Sequence, residues 1–235
     1  MANFLDFSTD KIDIFIMIID SSGSMKEDEA NVVKGLDLYK KSFEGFPEAN
    51  SIAVSVCKFD GDFYPGDFKH VKDFDTSYYT GGATAIFYSI VKGAEHLNKY
   101  IKEVTEHAGC VPRATFIVFS DGEPCKDRME REDAQKTITN LNYAGVTTVF
   151  VAFGKAITSE FGKKLGFMST IDVNNREALV NFLGVELSKS CKEQSQSLKA
   201  LGANFFSHAI DNGNSAEYSH TTQEALEDDS WFEDI

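Results

Sequence analysis

Two stretches of this chain, "IDIFIMII" from Ile12 and "ATFIVF" from Ala114, are almost continuously apolar, and each runs into an aspartate, Asp20 and Asp121. Such short runs cannot span a bilayer, and they leave no polar face for water. They read as strands buried on both sides, the pattern of a central parallel sheet. Long amphipathic segments supply the cover. Between Glu27 and Phe46 the residues Ala30, Val33, Leu36, Phe43 and Phe46 recur at helical spacing, and Ile86, Ile90, Ala94, Leu97, Ile101 and Val104 form one stripe.

The rest of the chain keeps this alternation. "SIAVSVCKFD" predicts a second strand, and Asp60-Gly61 turns it into an antiparallel third, placed at the sheet edge by Pro65. After "ATFIVFSDG" come a helix over 132–141, the strand "TTVFVAF", a short helix over 160–165, a weak strand over 169–173 and a helix from Glu177 to about Cys191. The expected fold class is α/β: a Rossmann-like three-layer α/β/α domain over 1–192, its sheet mostly parallel with one antiparallel edge strand. Beyond Lys199 there are eight acidic residues and no basic one, more than half of the net charge of −14. Residues 193–235 therefore read as an acidic extension, partly helical or disordered.

The same charge opposes attraction to nucleic acid phosphates and to anionic membrane surfaces, and favours metal ions and basic protein surfaces. The four cysteines show no Cys-x-x-Cys spacing, and the N-terminal stretch has neither a basic region nor a small-residue cleavage site. Reduced thiols, a cytoplasmic location and no membrane insertion are the expectation.

In an open α/β sheet ligands gather beyond the carboxyl ends of the strands. Asp20 leads into Ser22 and Ser24, "TGGAT" delivers Thr84 at the head of the long helix, and Asp121 ends another buried strand. These five side chains offer only hard oxygens, a donor set suited to Mg²⁺, with Mn²⁺ or Ca²⁺ as other candidates. With only two carboxylates against a divalent charge, an incoming acidic group can still gain Coulomb energy.

Asp-x-Ser-Gly-Ser at Asp20, Ser22, Gly23 and Ser24, the glycine pair before Thr84, and Ser-Asp-Gly around Asp121 resemble, in order and strand context, the metal-ion-dependent adhesion site of von Willebrand factor type A domains. The resemblance covers roughly residues 13–187. Ala83 is a departure, since many members read Gly-Gly-Thr; Thr84 rather than Thr80 is taken as the ligand because it stands at the helix head. The resemblance implies that Ser22, Ser24 and Thr84 bind the ion directly, that Asp20 and Asp121 bind it directly or through water, and that a Glu or Asp of a partner protein completes the shell. It further implies a non-enzymatic adaptor or scaffold similar to soluble tellurium-resistance-type members, which are associated with kinases, phosphatases or ATPases in stress, defence or signalling systems.

Two alternatives stand beside it. One is an extracellular adhesion module lacking its export signal. The other is a haloacid dehalogenase-like phosphatase with Asp20 as nucleophile, in which Ser22 would occupy the position of the acid. No Gly-x-Ser-x-Gly elbow marks a serine hydrolase. For the partner surface the candidates are Tyr78 and Tyr79 before the threonine loop, Glu123 after Asp121, and Trp231 and Phe232 within the acidic end.

Overall fold

In the computed structural model, which describes residues 11–154, 156–197, 199–206 and 218–222, strand β1 (Asp13–Asp20) is the axis of the molecule. All of its residues are buried. It pairs in parallel with β2 (Ile52–Phe59) on one side and β5 (Arg113–Ser120) on the other. Beyond β5 lie β6 (Thr147–Phe153) and β7 (Ser169–Val173), both parallel.

Alternate residues of each strand enter two separate cores, which is why these strands are apolar throughout. Phe15, Met17 and Ile19 of β1 pack with Val32, Leu36 and Tyr39 of α1 (Glu29–Ser42) and with Leu179, Leu183 and Leu187 near the C-terminus. Ile14, Ile16 and Ile18 face the other way, onto α2 (Ile86–Ala108), α3 (Arg131–Tyr143) and α4 (Ser159–Lys164). The chain thus leaves β1 toward one layer and enters β5 from the other. The loops after β1 and β5 part at this switch point, the position at which open α/β sheets form a ligand crevice.

The α/β expectation holds, with three differences. The helix expected from Glu27 begins as a short 3₁₀ turn over Gly23–Asp28 before α1. The expected third strand is split into β3 (Phe63–Tyr64) and β4 (Lys69–His70), both antiparallel to β2. Pro65 cannot donate to the ladder, which interrupts the pairing between the two pieces, while Gly66 keeps the chain close against β2, where a Cβ would come within 2.2 Å of the Val56 carbonyl oxygen. Residues Tyr218–Thr222 add β8, antiparallel to β7, so the sheet has antiparallel strands at both edges.

The last helical stretch runs without a break from α5 (Arg176–Asn181) through a π turn at Phe182–Glu186 into α6 (Leu187–Gln196). The wide turn lies against α1, where Gly35 and Gly184 let the backbones approach: a Cβ on Gly184 would sit 2.6 Å from Leu38 Cβ, and one on Gly35 2.7 Å from Leu183 Cβ. At the far end of the sheet Arg113 holds Asp13 in two hydrogen bonds of 2.9 Å and donates to the Ser197 carbonyl at 2.7 Å, while Lys11 donates to Ser195 and Ser197. The end of α6 is thereby fastened to the edge of the sheet opposite the crevice.

Gly184→Ala gains up to about 1 kcal/mol of helix propensity but overpacks the α1 contact. Chemical denaturation is expected to show a net loss of about 1–3 kcal/mol.

Candidate metal centre

Asp20 is the last residue of β1 and has no solvent exposure. Its Oδ1 accepts the Ser22 amide at 2.9 Å, and its Oδ2 accepts the Ser120 hydroxyl at 2.5 Å. Below it, the Tyr78 hydroxyl donates to the Asp20 backbone carbonyl. From Asp20 a short chain of oxygens leads outward. The Ser22 and Ser24 hydroxyls are 3.0 Å apart, and Ser24 donates to Asp121 Oδ1 at 2.8 Å. A Cβ on Gly122 would lie 3.7 Å from Thr84 Oγ1 and 3.8 Å from Ser24 Oγ, so both hydroxyls face one small space beside Asp121.

Three loops make this convergence, and each is tied to its neighbour. The Ser21 amide and hydroxyl donate to the Phe59 carbonyl at 2.6 and 2.9 Å, binding the first loop to the end of β2. The Gly81 amide donates to the Ser21 carbonyl at 2.7 Å, which draws in the glycine loop. Gly82 takes φ 74°, and a side chain there would meet the Asp60 carboxylate at 2.7 Å, so the tight turn before Thr84 needs glycine. Thr80, the other threonine of this loop, donates its hydroxyl to Glu29 at 2.9 Å.

The electrostatics are those of a site short of positive charge. Burial raises the Asp20 carboxyl to about 6, against the lowering influence of its Ser120 and Ser22 hydrogen bonds, and nearby Asp121 raises it further. Burial also pushes Asp121 up, offset in part by the Ser24 hydroxyl. Burial, followed by the Asp20 charge, holds the Tyr78 phenol far above its usual range. A cation among these oxygens would offset the cost of the buried carboxylate.

The donor spacing fits a small ion. Adjacent oxygens of an octahedron with bonds of about 2.0–2.1 Å are about 2.9 Å apart, and the longer bonds to Ca²⁺ would put them at about 3.3–3.7 Å. The separations of 3.0 and 2.8 Å along Ser22, Ser24 and Asp121 are those of ordinary hydrogen bonds and lie close to the edge of the smaller polyhedron, so these oxygens could take up a small ion with little movement. Among the described residues no group of three or more His, Cys, Asp or Glu is placed to hold a metal; hydroxyls make up most of the donor set. Asp20 and Ser22 are buried while Ser24 is exposed, so the set opens to solvent on one side.

Of the residues expected on the partner surface, Tyr79 is 73 % exposed and Glu123 is exposed, both beside the donor loops. Tyr78 is 3 % exposed. Its ring belongs to the core and its hydroxyl supports Asp20 from below, so it offers no surface to a partner. Trp231 and Phe232 lie outside the described residues. The sequence reading gave no role to Lys58, whose Nζ stands 5.9 Å from the Tyr79 ring centroid. With Ser21, Asp60, Tyr64, Tyr79, Thr80 and Gly81 it lines a hollow of about 320 Å³ beside the site. It also gave none to Ser120, although this residue directly precedes Asp121.

No family profile matches the sequence, and no curated protein matches it. Solved structures do. The pilus adhesin SpaC from Lactobacillus rhamnosus GG superposes with a TM-score of 0.60 at 12 % identity, over 80 % of this chain and 31 % of that one. Proximal thread matrix protein 1 from the mussel byssus, in a structure with a zinc-occupied MIDAS motif, gives 0.52 at 17 % identity, over 75 % of this chain and 47 % of its own. Manganese-loaded TRAP protein of Plasmodium vivax gives 0.52 at 14 % identity, over 74 % and 72 %. The chain thus spans about a third of the adhesin and about half of the byssus protein. These likenesses show the fold, that of a von Willebrand factor type A domain.

Because Asp20 ionises at a cost in the metal-free protein, Asp20→Asn in the presence of chelator is expected to be more stable than wild type at pH 7, by about 1–3 kcal/mol. The folded-state pKa is raised from 3.8 to about 6, so wild type loses this increment as pH rises through that window. Melting temperatures of the two proteins should therefore diverge across it, with no divergence below it.

Proposed function

We propose that this protein is a non-catalytic, divalent-metal-dependent protein-binding module, with Ser22, Ser24, Thr84, Asp20 and Asp121 holding Mg²⁺, or Mn²⁺ in its place. The observation that carries the reading is the run of Ser22, Ser24 and Asp121 oxygens at octahedral-edge separations, ending beside a fully buried carboxylate. The zinc-occupied MIDAS motif of the byssus protein and the manganese-loaded TRAP protein, both similar in fold, support it.

When bound, the ion would supply a Lewis-acidic position open to an acidic side chain of a partner. The residues of this chain do the rest. Ser120 and the Ser22 amide orient Asp20, whose burial keeps its charge from being screened by water. Ser24 and Asp121 form the outer lip, and Tyr79 and Glu123 flank it, a large aromatic anchor and a charge that discriminates among partners.

Asp20 has both carboxylate oxygens engaged and no exposure, a setting for orientation rather than nucleophilic attack. The reading places the protein in the cytoplasm, where it would act as an adaptor in a stress, defence or signalling system. Four cysteines with free thiols support the location, and the resemblance in motif supports the role. No described helix is long and apolar enough to cross a membrane.

The test has two stages. Calorimetric titration should show Mg²⁺ or Mn²⁺ binding by wild type, weakened at least about 10-fold in Asp121→Ala and in Thr84→Ala. Affinity capture from the native cell extract should then retain partners with wild type in Mg²⁺, and lose them with Asp121→Ala or in excess chelator. Identical retained proteins under every condition would overturn ion-bridged binding, even if the metal itself binds.

A further inference from the structure

Asp127 belongs to none of the three donor motifs, yet its carboxylate has three backbone partners. Oδ2 accepts the Phe87 amide at 2.6 Å, and Oδ1 accepts the Tyr88 amide at 3.0 Å and the Met129 amide at 3.2 Å. Phe87 and Tyr88 are the second and third residues of α2, a helix of 23 residues whose cap position is occupied by Ala85 and which has no side-chain cap of its own. The first N–H groups of a helix have no partner within it, and the helix dipole favours a negative charge beside them. Here the charge comes from a different loop, the one that begins at Asp121.

Two more contacts join the same pair of segments. The Cys125 amide donates to the Thr84 carbonyl at 2.9 Å in an isolated antiparallel bridge. The Arg128 guanidinium lies 4.3 Å from the centroid of the Tyr88 ring and donates to the Gly61 carbonyl at 2.6 Å. Lys126, between the bridge and the cap, has φ 55°. A lysine adopts this left-handed conformation only where its surroundings enforce it, and the resulting turn aims Asp127 at the helix end.

The 121–128 loop is therefore stapled to the head of α2. One end of the staple carries Asp121 and the other lies three residues from Thr84. No side-chain hydrogen bond among the described residues anchors the Thr84 hydroxyl, so its place is set by its backbone. We propose that Asp127 is a positioning residue of the metal centre: by capping α2 from the third loop, it holds the Thr84 hydroxyl and the Asp121 carboxylate at a fixed separation before an ion arrives. The inference rests on the metal-binding reading above. It predicts that metal affinity depends on a residue that touches no metal, as with the outer-shell partners of other metal sites, whose loss costs about 10- to 100-fold.

A cap that served only stability would behave differently, and the molecule contains a control. Asn175 caps α5, its Oδ1 accepting the Ala178 amide at 2.8 Å, at the end of β7 and outside the donor loops. Mn²⁺ titrations by calorimetry on wild type, Asp127→Asn, Asp127→Ala and Asn175→Ala, with melting temperatures in chelator and amide exchange of the metal-free proteins, separate the cases. Asp127→Ala should weaken Mn²⁺ binding about 10- to 100-fold and speed exchange at Phe87 and Tyr88. Asp127→Asn, which keeps one carbonyl acceptor and carries the comparison if the alanine variant does not fold, should weaken it less. Asn175→Ala should lower the melting temperature and leave affinity unchanged.

Unchanged affinity in both Asp127 variants, with wild type binding normally, would make Asp127 a stabilising cap only and overturn the proposal. Equal weakening in Asn175→Ala would also overturn it, since affinity would then track stability. Failure of wild type itself to bind Mn²⁺ would instead remove the metal centre, and this inference with it.

Discussion

The structure depends on an ionisable group placed where water cannot reach it. β1 is covered by helices on both faces, so the residue that ends it is still inside the protein, and that residue is Asp20. A carboxylate in such a place must be hydrogen-bonded or neutralised. Ser120 and the Ser22 amide supply the first remedy; the raised pKa shows that they do not complete it. The surrounding loops take their positions from this demand. Ser22 turns back toward the Asp20 side chain, β5 ends with its hydroxyl aimed at it, and Tyr78 reaches its backbone carbonyl from the glycine loop.

The cost of this arrangement is carried by the scaffold. Two cores flank the sheet, one built with α1 and the C-terminal helix, the other with α2, α3 and α4. At the amino ends of the strands Arg113 and Lys11 take up the last carbonyls of α6, and Arg113 pairs with buried Asp13. Charge at this end is matched within the chain, whereas at the carboxyl ends two carboxylates share a small volume with no cationic side chain among the described residues hydrogen-bonded to either. That asymmetry distinguishes the two ends of the sheet, and it accords with the proposed metal centre, since it is the pattern expected where stability has been given up for a site.

Much of this was legible from residue order. Strands buried on both faces have to be apolar at every position, so β1 and β5 could be read directly. Asp20 and Asp121 could be read as candidates as well, because a buried strand that stops at a polar residue delivers that residue to the sheet edge; Ser22, Ser24 and Thr84 could be read only through the spacing of the loop motifs and the resemblance they carry. Positions whose meaning depends on a distant partner could not. Tyr78 and Tyr79 are adjacent and chemically identical, yet one is buried beneath Asp20 and the other is exposed; the path of the loop, tied down by the Tyr78 bond to the Asp20 carbonyl, decides which. β8 contributes "YSHTT", a polar segment without an apolar signature, and pairing with β7 makes it a strand.

By itself, then, the sequence determined the layers of the fold and the chemical identity of the oxygen donors, since both follow from local periodicity and from which residue types end a buried run. Tertiary structure decided their spacing and support. The separations of 2.8 and 3.0 Å among the donors, the Ser120 bond to Asp20 and the capping of α2 by Asp127 each join residues of different loops or fix a loop against its neighbours. Such distances are set by how strands and helices pack against one another, a property of the assembled chain that no local pattern encodes.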